Sequence, residues 1–172
     1  MGCWTTNNES FEAWDECLKG LKERGLKGII YVVSDDNKGL RNAIDKQFQG
    51  VLWQRCQVHF MRNFLGKLAK SEQKGGIRLL KNVFATGSKE EAKKQLEKVE
   101  EFLKLRRKDP IWKWIEENKK ESLMVLELPV EHRKKMKSTN TLERANQESK
   151  RRSRIVRIFL DEPSCLRLLS PL

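Results

Sequence analysis

Two carboxylates stand where the chain could hold a hard cation. Asp35 follows the apolar run Ile29-Ile30-Tyr31-Val32-Val33, and Glu143 opens a basic stretch more than a hundred residues later. Mg²⁺ takes oxygen ligands and is held through one or two carboxylates together with substrate phosphates. Each acid also has an ordinary structural explanation. Asp35 precedes a helical pattern starting at Asn37 and suits a cap or turn. Asn140 with Glu143 three positions on suits a capping box. The pattern beyond Glu143 favours chemistry: Gln147, Lys150 and Arg154 lie 4, 7 and 11 residues onward and share its helical face. An acid that holds a metal-bound phosphate, flanked by cations gripping neighbouring phosphates, needs this layout. A solvated helix or a nucleic-acid patch without catalysis is the plainer alternative.

Cys56 and His59 form a C-x-x-H pair, half of a possible zinc site. Cys3, Cys17, His132 and Cys165 show no partnering spacing, so a buried thiol and a hydrogen-bonded histidine at a strand-helix junction are the favoured reading. Trp14, Trp53, Trp112 and Trp114 read as core, with base stacking by Trp112 or Trp114 as a second use. Met1-Gly2-Cys3-Trp4-Thr5-Thr6 fits the loose N-myristoylation pattern, with Cys3 as a palmitoylation candidate, but carries little weight.

The elements that must position these residues follow from periodicity. Asn7, Asn8 and Ser10 precede Phe11, Trp14, Leu18 and Leu21, one face of a helix over about 10–24. The apolar run 29–33 predicts a buried strand. Leu40, Ile44 and Phe48 predict a helix over 37–48, and a short second strand over 51–56 follows Gly50. A right-handed crossover between adjacent strands places Asp35 at a strand's carboxyl end, where sites in α/β folds lie. From His59 to about Lys108 the pattern is helical, with Gly75-Gly76 and Gly87-Ser88 as expected breaks between three helices. Asp109-Pro110 opens another helix.

The 172 residues suffice for a domain with a real core. Lys and Arg exceed Asp and Glu by 36 to 24, a net charge of +12 that favours a polyanionic partner. Residues 131–157 concentrate that charge, with ten Lys or Arg against Glu131, Glu143 and Glu148. Hydrophobic residues make up 38% and cluster periodically, which argues against wholesale disorder. No run of about 18 apolar residues exists and no secretory signal opens the chain, so no membrane association is expected. A cytoplasmic chain with reduced thiols is expected.

Several segments together resemble the bacterial insertion-sequence transposases of the Mutator type. They are Gly2-x-Trp4, Asn8-Glu9-Ser10 and Leu21-Lys22-x-Arg24-Gly25-Leu26; Val33-Ser34-Asp35 with Gly39-Leu40; Trp53-Gln54-Arg55-Cys56-x-Val58-His59-Phe60-x-Arg62-Asn63; and Ser138-Thr139-Asn140-x-x-Glu143-Arg144-x-Asn146 with Lys150-Arg151-Arg152. The resemblance implies an α/β fold, a partial ribonuclease H-like core with an all-α insertion between the second Asp and the Glu of a DDE triad. It divides the chain into a core part at 1–60, a helical insertion at 61–130, and a basic segment at 131–172 carrying the Glu-bearing helix. Asp35 matches the second aspartate and Glu143 the glutamate, both catalytic and metal-binding with Mg²⁺ or Mn²⁺. Cys56, His59, Arg62 and Asn63 match the signature block. Arg144, Asn146, Gln147, Lys150, Arg151, Arg152 and Arg154 are expected to contact DNA.

The family's first aspartate belongs on a strand upstream of Gly2, so the chain resembles a fragment or decayed copy. Asp15, mid-helix beside Trp14, is no substitute, and Asn37 stands where many members have His. The implied function is DNA transposition, with transposon ends and target DNA as partners and a homo-oligomer in the complete protein. The expectation for this chain alone is no cleavage or joining of DNA. The rival is an inactive basic DNA-binding fragment that interferes with an intact transposase.

Overall fold

The computed structural model describes residues 9–156 and 162–169. Among these, two strands, β1 (Tyr31–Ser34) and β2 (Leu52–Arg55), pair in parallel with Tyr31 opposite Leu52 and Ser34 opposite Arg55. The helices are α1 (Phe11–Glu23), α2 (Lys38–Gln47), α3 (Gln57–Gly66), α4 (Lys70–Phe84), α5 (Lys89–Lys104), α6 (Asp109–Ser122), α7 (Val130–Met136), α8 (Asn140–Val156) and α9 (Glu162–Leu169). A short 3-10 helix spans Met124–Glu127. The chain is mixed α/β and mostly helical, with the predicted helix, strand, helix, strand order at its start. The first strand begins two residues later than its apolar run, because the ladder has four rungs and Ile30 is 74% exposed. The acylation pattern at residues 1–6 and the Gly2-x-Trp4 match lie outside the described residues.

The chain divides into two compact units: residues 1–30, 37–51 and 139–172 in one, and 31–36 with 52–138 in the other. In the first, α1 packs on α2. Ser10 caps α1 by accepting from Ala13 N–H, and Arg24-Gly25-Leu26 closes it. Gly25 adopts φ 97°, Gly25 N–H donates to Lys22 O, and Leu26 N–H donates to Leu21 O, the paired bonds of a left-handed helix stop. Gly39 lets the two helices meet, since a Cβ there would lie 2.9 Å from Phe11 N and 3.0 Å from Glu9 O. Asp15 is held by Lys46 at 2.7 Å and by the Gln47 amide at 2.7 Å. It thus ties α1 to α2.

The second unit has its core among α3–α6. Phe60, Phe64, Leu68, Leu96, Val99 and Leu103, the residues whose spacing marks the helices, are all buried there. Trp53 is buried, and Trp112 and Trp114 pack half-buried against this core. Three helices do fill 57–104, but Gly75-Gly76 lies inside α4 rather than between helices. The break falls at 67–69. The glycines serve packing: a Cβ on Gly76 would sit 2.6 Å from Leu68 Cδ1, and one on Gly75 would sit 2.9 Å from Phe102 Cε2. Close approach of α4 to its neighbours outweighs the helix propensity lost at two glycines.

Candidate active site

Asp35 leaves the end of β1 half-buried, and its surroundings in the second unit are built by β1 and β2. The Ser34 hydroxyl donates to Asp35 O at 2.9 Å. The Trp53 indole N–H donates to that same hydroxyl oxygen at 2.9 Å, and Cys56 N–H donates to Ser34 O at 2.7 Å. Asp36 forms an ion pair with Arg55 at 2.7 Å. Asp35 is not the N-cap residue of the helix that follows it. Asn37 caps α2, its Oδ1 accepting from Leu40 N–H at 2.9 Å.

Glu143 lies half-buried in the first turn of α8, in the first unit. Its N–H donates to Thr139 O at 2.9 Å, so the helical ladder starts at Thr139 and Asn140 is already inside the helix. That register excludes the Asn140–Glu143 capping box. Onward from Glu143, Arg144, Asn146, Gln147, Lys150 and Arg154 are exposed. Arg151 and Arg152 differ from them. Both bond the Glu148 carboxylate, Arg151 at 2.7 Å and Arg152 at 3.1 Å. Arg151 foremost, then Arg152, pulls the Glu148 carboxyl down to about 2.

The signature block spans the junction of β2 and α3. Cys56 is fully buried and free of disulfide at the amino-terminal cap of α3; His59 is half-buried one turn on; Arg62 and Asn63 are exposed. Among the described residues no three His, Cys, Asp or Glu side chains gather into a metal cluster. Gln54 of the same block is a buried polar hub. Its amide donates to Arg55 O at 2.6 Å and Ser122 O at 2.8 Å, and its oxygen accepts from Val125 N–H at 2.7 Å and the Tyr31 hydroxyl at 3.2 Å. Burial pushes the Tyr31 phenol well up.

Residue-by-residue reading of the sequence missed Arg55, Asp36 and Asn118. Arg55 is 1% exposed, and its other guanidinium arm donates to Asn118 Oδ1 at 2.7 Å. The signal was available: an arginine inside a short buried strand must find a carboxylate, and Asp36 is a near candidate. Arg133, counted within the basic segment, is occupied structurally. It donates to the carbonyls of Leu128, Leu126 and Gly87 at 2.7, 3.0 and 2.6 Å.

Comparisons with known proteins give the class to which this mixed α/β chain belongs. The family model for the Mutator family of transposases matches residues 1–172, and the chain belongs to that family. It is 41% identical over 164 residues to the transposase for insertion sequence element ISRM5 of Rhizobium meliloti, covering 95% of this chain and 41% of that protein. It is 34% identical to the transposase for IS406 of Burkholderia multivorans, covering 100% of this chain and 44% of the relative. For the transposase of IS256 in transposon Tn4001 of Staphylococcus aureus the figures are 35%, 98% and 43%. The chain thus spans less than half the length of these relatives.

Proposed function

We propose that this chain is the part of a DDE transposase's ribonuclease H-like catalytic domain that carries the second aspartate, Asp35, and the glutamate, Glu143, and that it acts in DNA transposition. Residues 1–60 belong to the core, 61–130 to the helical insertion, and 131–172 to the basic segment. Membership of the Mutator family supports the reaction class. The assignment of residues is supported by the sequence blocks around Asp35 and Glu143 that resemble the family's, and by their placement, Asp35 just past the end of β1 and Glu143 in the first turn of α8.

The donor set suits a hard divalent cation, since both candidates are half-buried carboxylates and oxygen is the donor Mg²⁺ and Mn²⁺ take. Asp35 and Glu143 would hold it, with the third carboxylate supplied by a core strand upstream. When bound, such ions activate a water or 3′-hydroxyl and stabilise the leaving oxygen in displacement at phosphorus. Arg144, Lys150 and Arg154 neutralise phosphates along the strand, and Asn146 and Gln147 offer amides to it. Transposon-end and target DNA are the substrates, bound in the complete protein by a homo-oligomer.

The test is nicking and strand transfer on inverted-repeat DNA with Mn²⁺, comparing this chain with one extended upstream through the first core strand. Activity is expected only in the extended protein, and Asp35→Ala or Glu143→Ala there should abolish it. Activity surviving either substitution would overturn the assignment. An extended protein that binds DNA but never cuts it would favour the inactive, interfering fragment.

A further inference from the structure

We propose that Arg55, working with Trp53 and Cys56, is a positioning residue that clamps the Asp35 turn to the helical insertion; the proposal rests on Asp35 being a metal-holding carboxylate. β1 ends at Ser34, and Asp35 and Asp36 follow it outside the ladder. The end of β2 restrains this segment. Trp53 N–H fixes the Ser34 hydroxyl, which in turn donates to the Asp35 carbonyl, and Cys56 N–H takes the Ser34 carbonyl. Arg55 reaches past them to Asp36 at 2.7 Å. The Ser34 carbonyl and hydroxyl on one side of Asp35 and the Asp36 carboxylate on the other are therefore held by groups from the four residues 53–56.

The guanidinium is anchored at its far side. One arm donates to Asn118 Oδ1 on α6, and Asn118 is itself held by its amide donating to Trp114 O at 2.8 Å. The Arg55 carbon lies 5.4 Å from the Phe60 ring centroid and 5.5 Å from that of Trp114. A planar fork with arms in two directions and a face for aromatic rings is what arginine offers and lysine does not. For the fold alone an apolar side chain would serve as well, because desolvating a charge offsets most of what its pairing gains. Placing a carboxylate is different: an error of 1 Å can cost about a hundredfold in rate. The linkage also runs through α6, so the helical insertion reports its own packing to the Asp35 turn.

The experiment compares Asp36→Asn, Arg55→Lys and the double variant. Asp36→Asn keeps an amide oxygen within reach of the buried Arg55 guanidinium at a side chain that is 52% exposed, and with far-ultraviolet circular dichroism to show that the variant is folded it decides the matter even if Arg55→Lys fails to fold. In this chain, backbone ¹⁵N order parameters at Asp35 and Asp36 should fall from about 0.85 to below about 0.6, with those of α4 and α5 unchanged. In the upstream-extended transposase, Asp36→Asn should raise the Mn²⁺ concentration for half-maximal nicking at least about tenfold, with the rate recovered at saturating Mn²⁺, and the double variant should be no worse than Arg55→Lys. Unchanged order parameters, or an unchanged Mn²⁺ requirement, would overturn the clamp. Loss of order at the turn together with full nicking by Asp35→Asn would instead overturn the reading of Asp35 and leave the clamp as a structural device.

Discussion

Gln54 shows how much of this molecule rests on single polar side chains. Its amide is fully buried, yet all four of its hydrogen-bonding positions are filled, linking β2 to the end of α6, to the 3-10 helix and to Tyr31. Gln54→Leu keeps the volume and orphans Val125 N–H inside the protein. The expected cost is about 2–4 kcal/mol, read from urea unfolding, because each buried group left unpaired costs about 1–3 kcal/mol. A loss below about 0.5 kcal/mol would mean that the hub is dispensable. Tyr31, the chain's single tyrosine, gives a second readout at the same spot. Its phenol is raised in the folded state by burial. The folded protein therefore disfavours phenolate: this contribution is whole below the ordinary phenol range near 10 and fades as pH rises through the elevated folded value. The phenolate absorbance band should appear together with loss of circular dichroism on alkaline titration. A band that develops near pH 10 in a still-folded chain would contradict the burial of Tyr31.

Among the elements, α4 carries the sharpest test of packing. Gly76→Ala must displace Leu68 or Phe64 from the core, and overpacking of this kind costs about 1–3 kcal/mol, whereas an exposed helical glycine would gain stability on the same change. A fall in thermal midpoint is expected, and a rise would refute the close approach. These two glycines also mark the limit of what sequence periodicity can say. The helical spacing of Phe60, Phe64, Leu68, Leu96, Val99 and Leu103 made the buried faces legible, because a core-facing stripe is a property of the helix itself. Whether a glycine breaks a helix or admits a neighbour depends on that neighbour, and Phe102 is 27 residues away from Gly75 in the chain. The candidate site divides the same way. Asp35, Glu143 and the basic face of α8 were legible as residue types at helical and strand-end positions. The capping by Asn37, the ladder start at Thr139 and the Arg55–Asp36 pair were not, since each is settled by one-residue register or by packing between elements.

At the scale of the whole molecule, a net charge of +12 sets the expected mode of binding. Each phosphate neutralised releases condensed counterions, so affinity for duplex DNA should fall steeply with salt and vary little with sequence. The cations of α8 are not equivalent in this. Arg151 and Arg152 already face Glu148, which is ionised down to a pH of about 2, whereas Lys150 and Arg154 are exposed and make no ion pair among the described residues. Lys150→Glu with Arg154→Glu should therefore weaken binding more than Arg151→Glu with Arg152→Glu, equally for every DNA sequence tried. Glu148→Gln should do the opposite. It releases two arginines, tightening binding at low salt and steepening the log–log salt slope by roughly one to two units, about 0.9 for each further phosphate neutralised. Because the folded Glu148 is depressed below the ordinary range near 4.5, its pairing is complete above that range and is lost as pH falls through about 2. At neutral pH the wild-type chain thus holds two of its arginines in reserve, and only the substitution sets them free. Fluorescence anisotropy across a salt series, with the wild type and Glu148→Gln side by side, decides it: identical slopes for the two would show that Arg151 and Arg152 contact phosphate despite their carboxylate, and that the charge on this helix acts as an undivided patch.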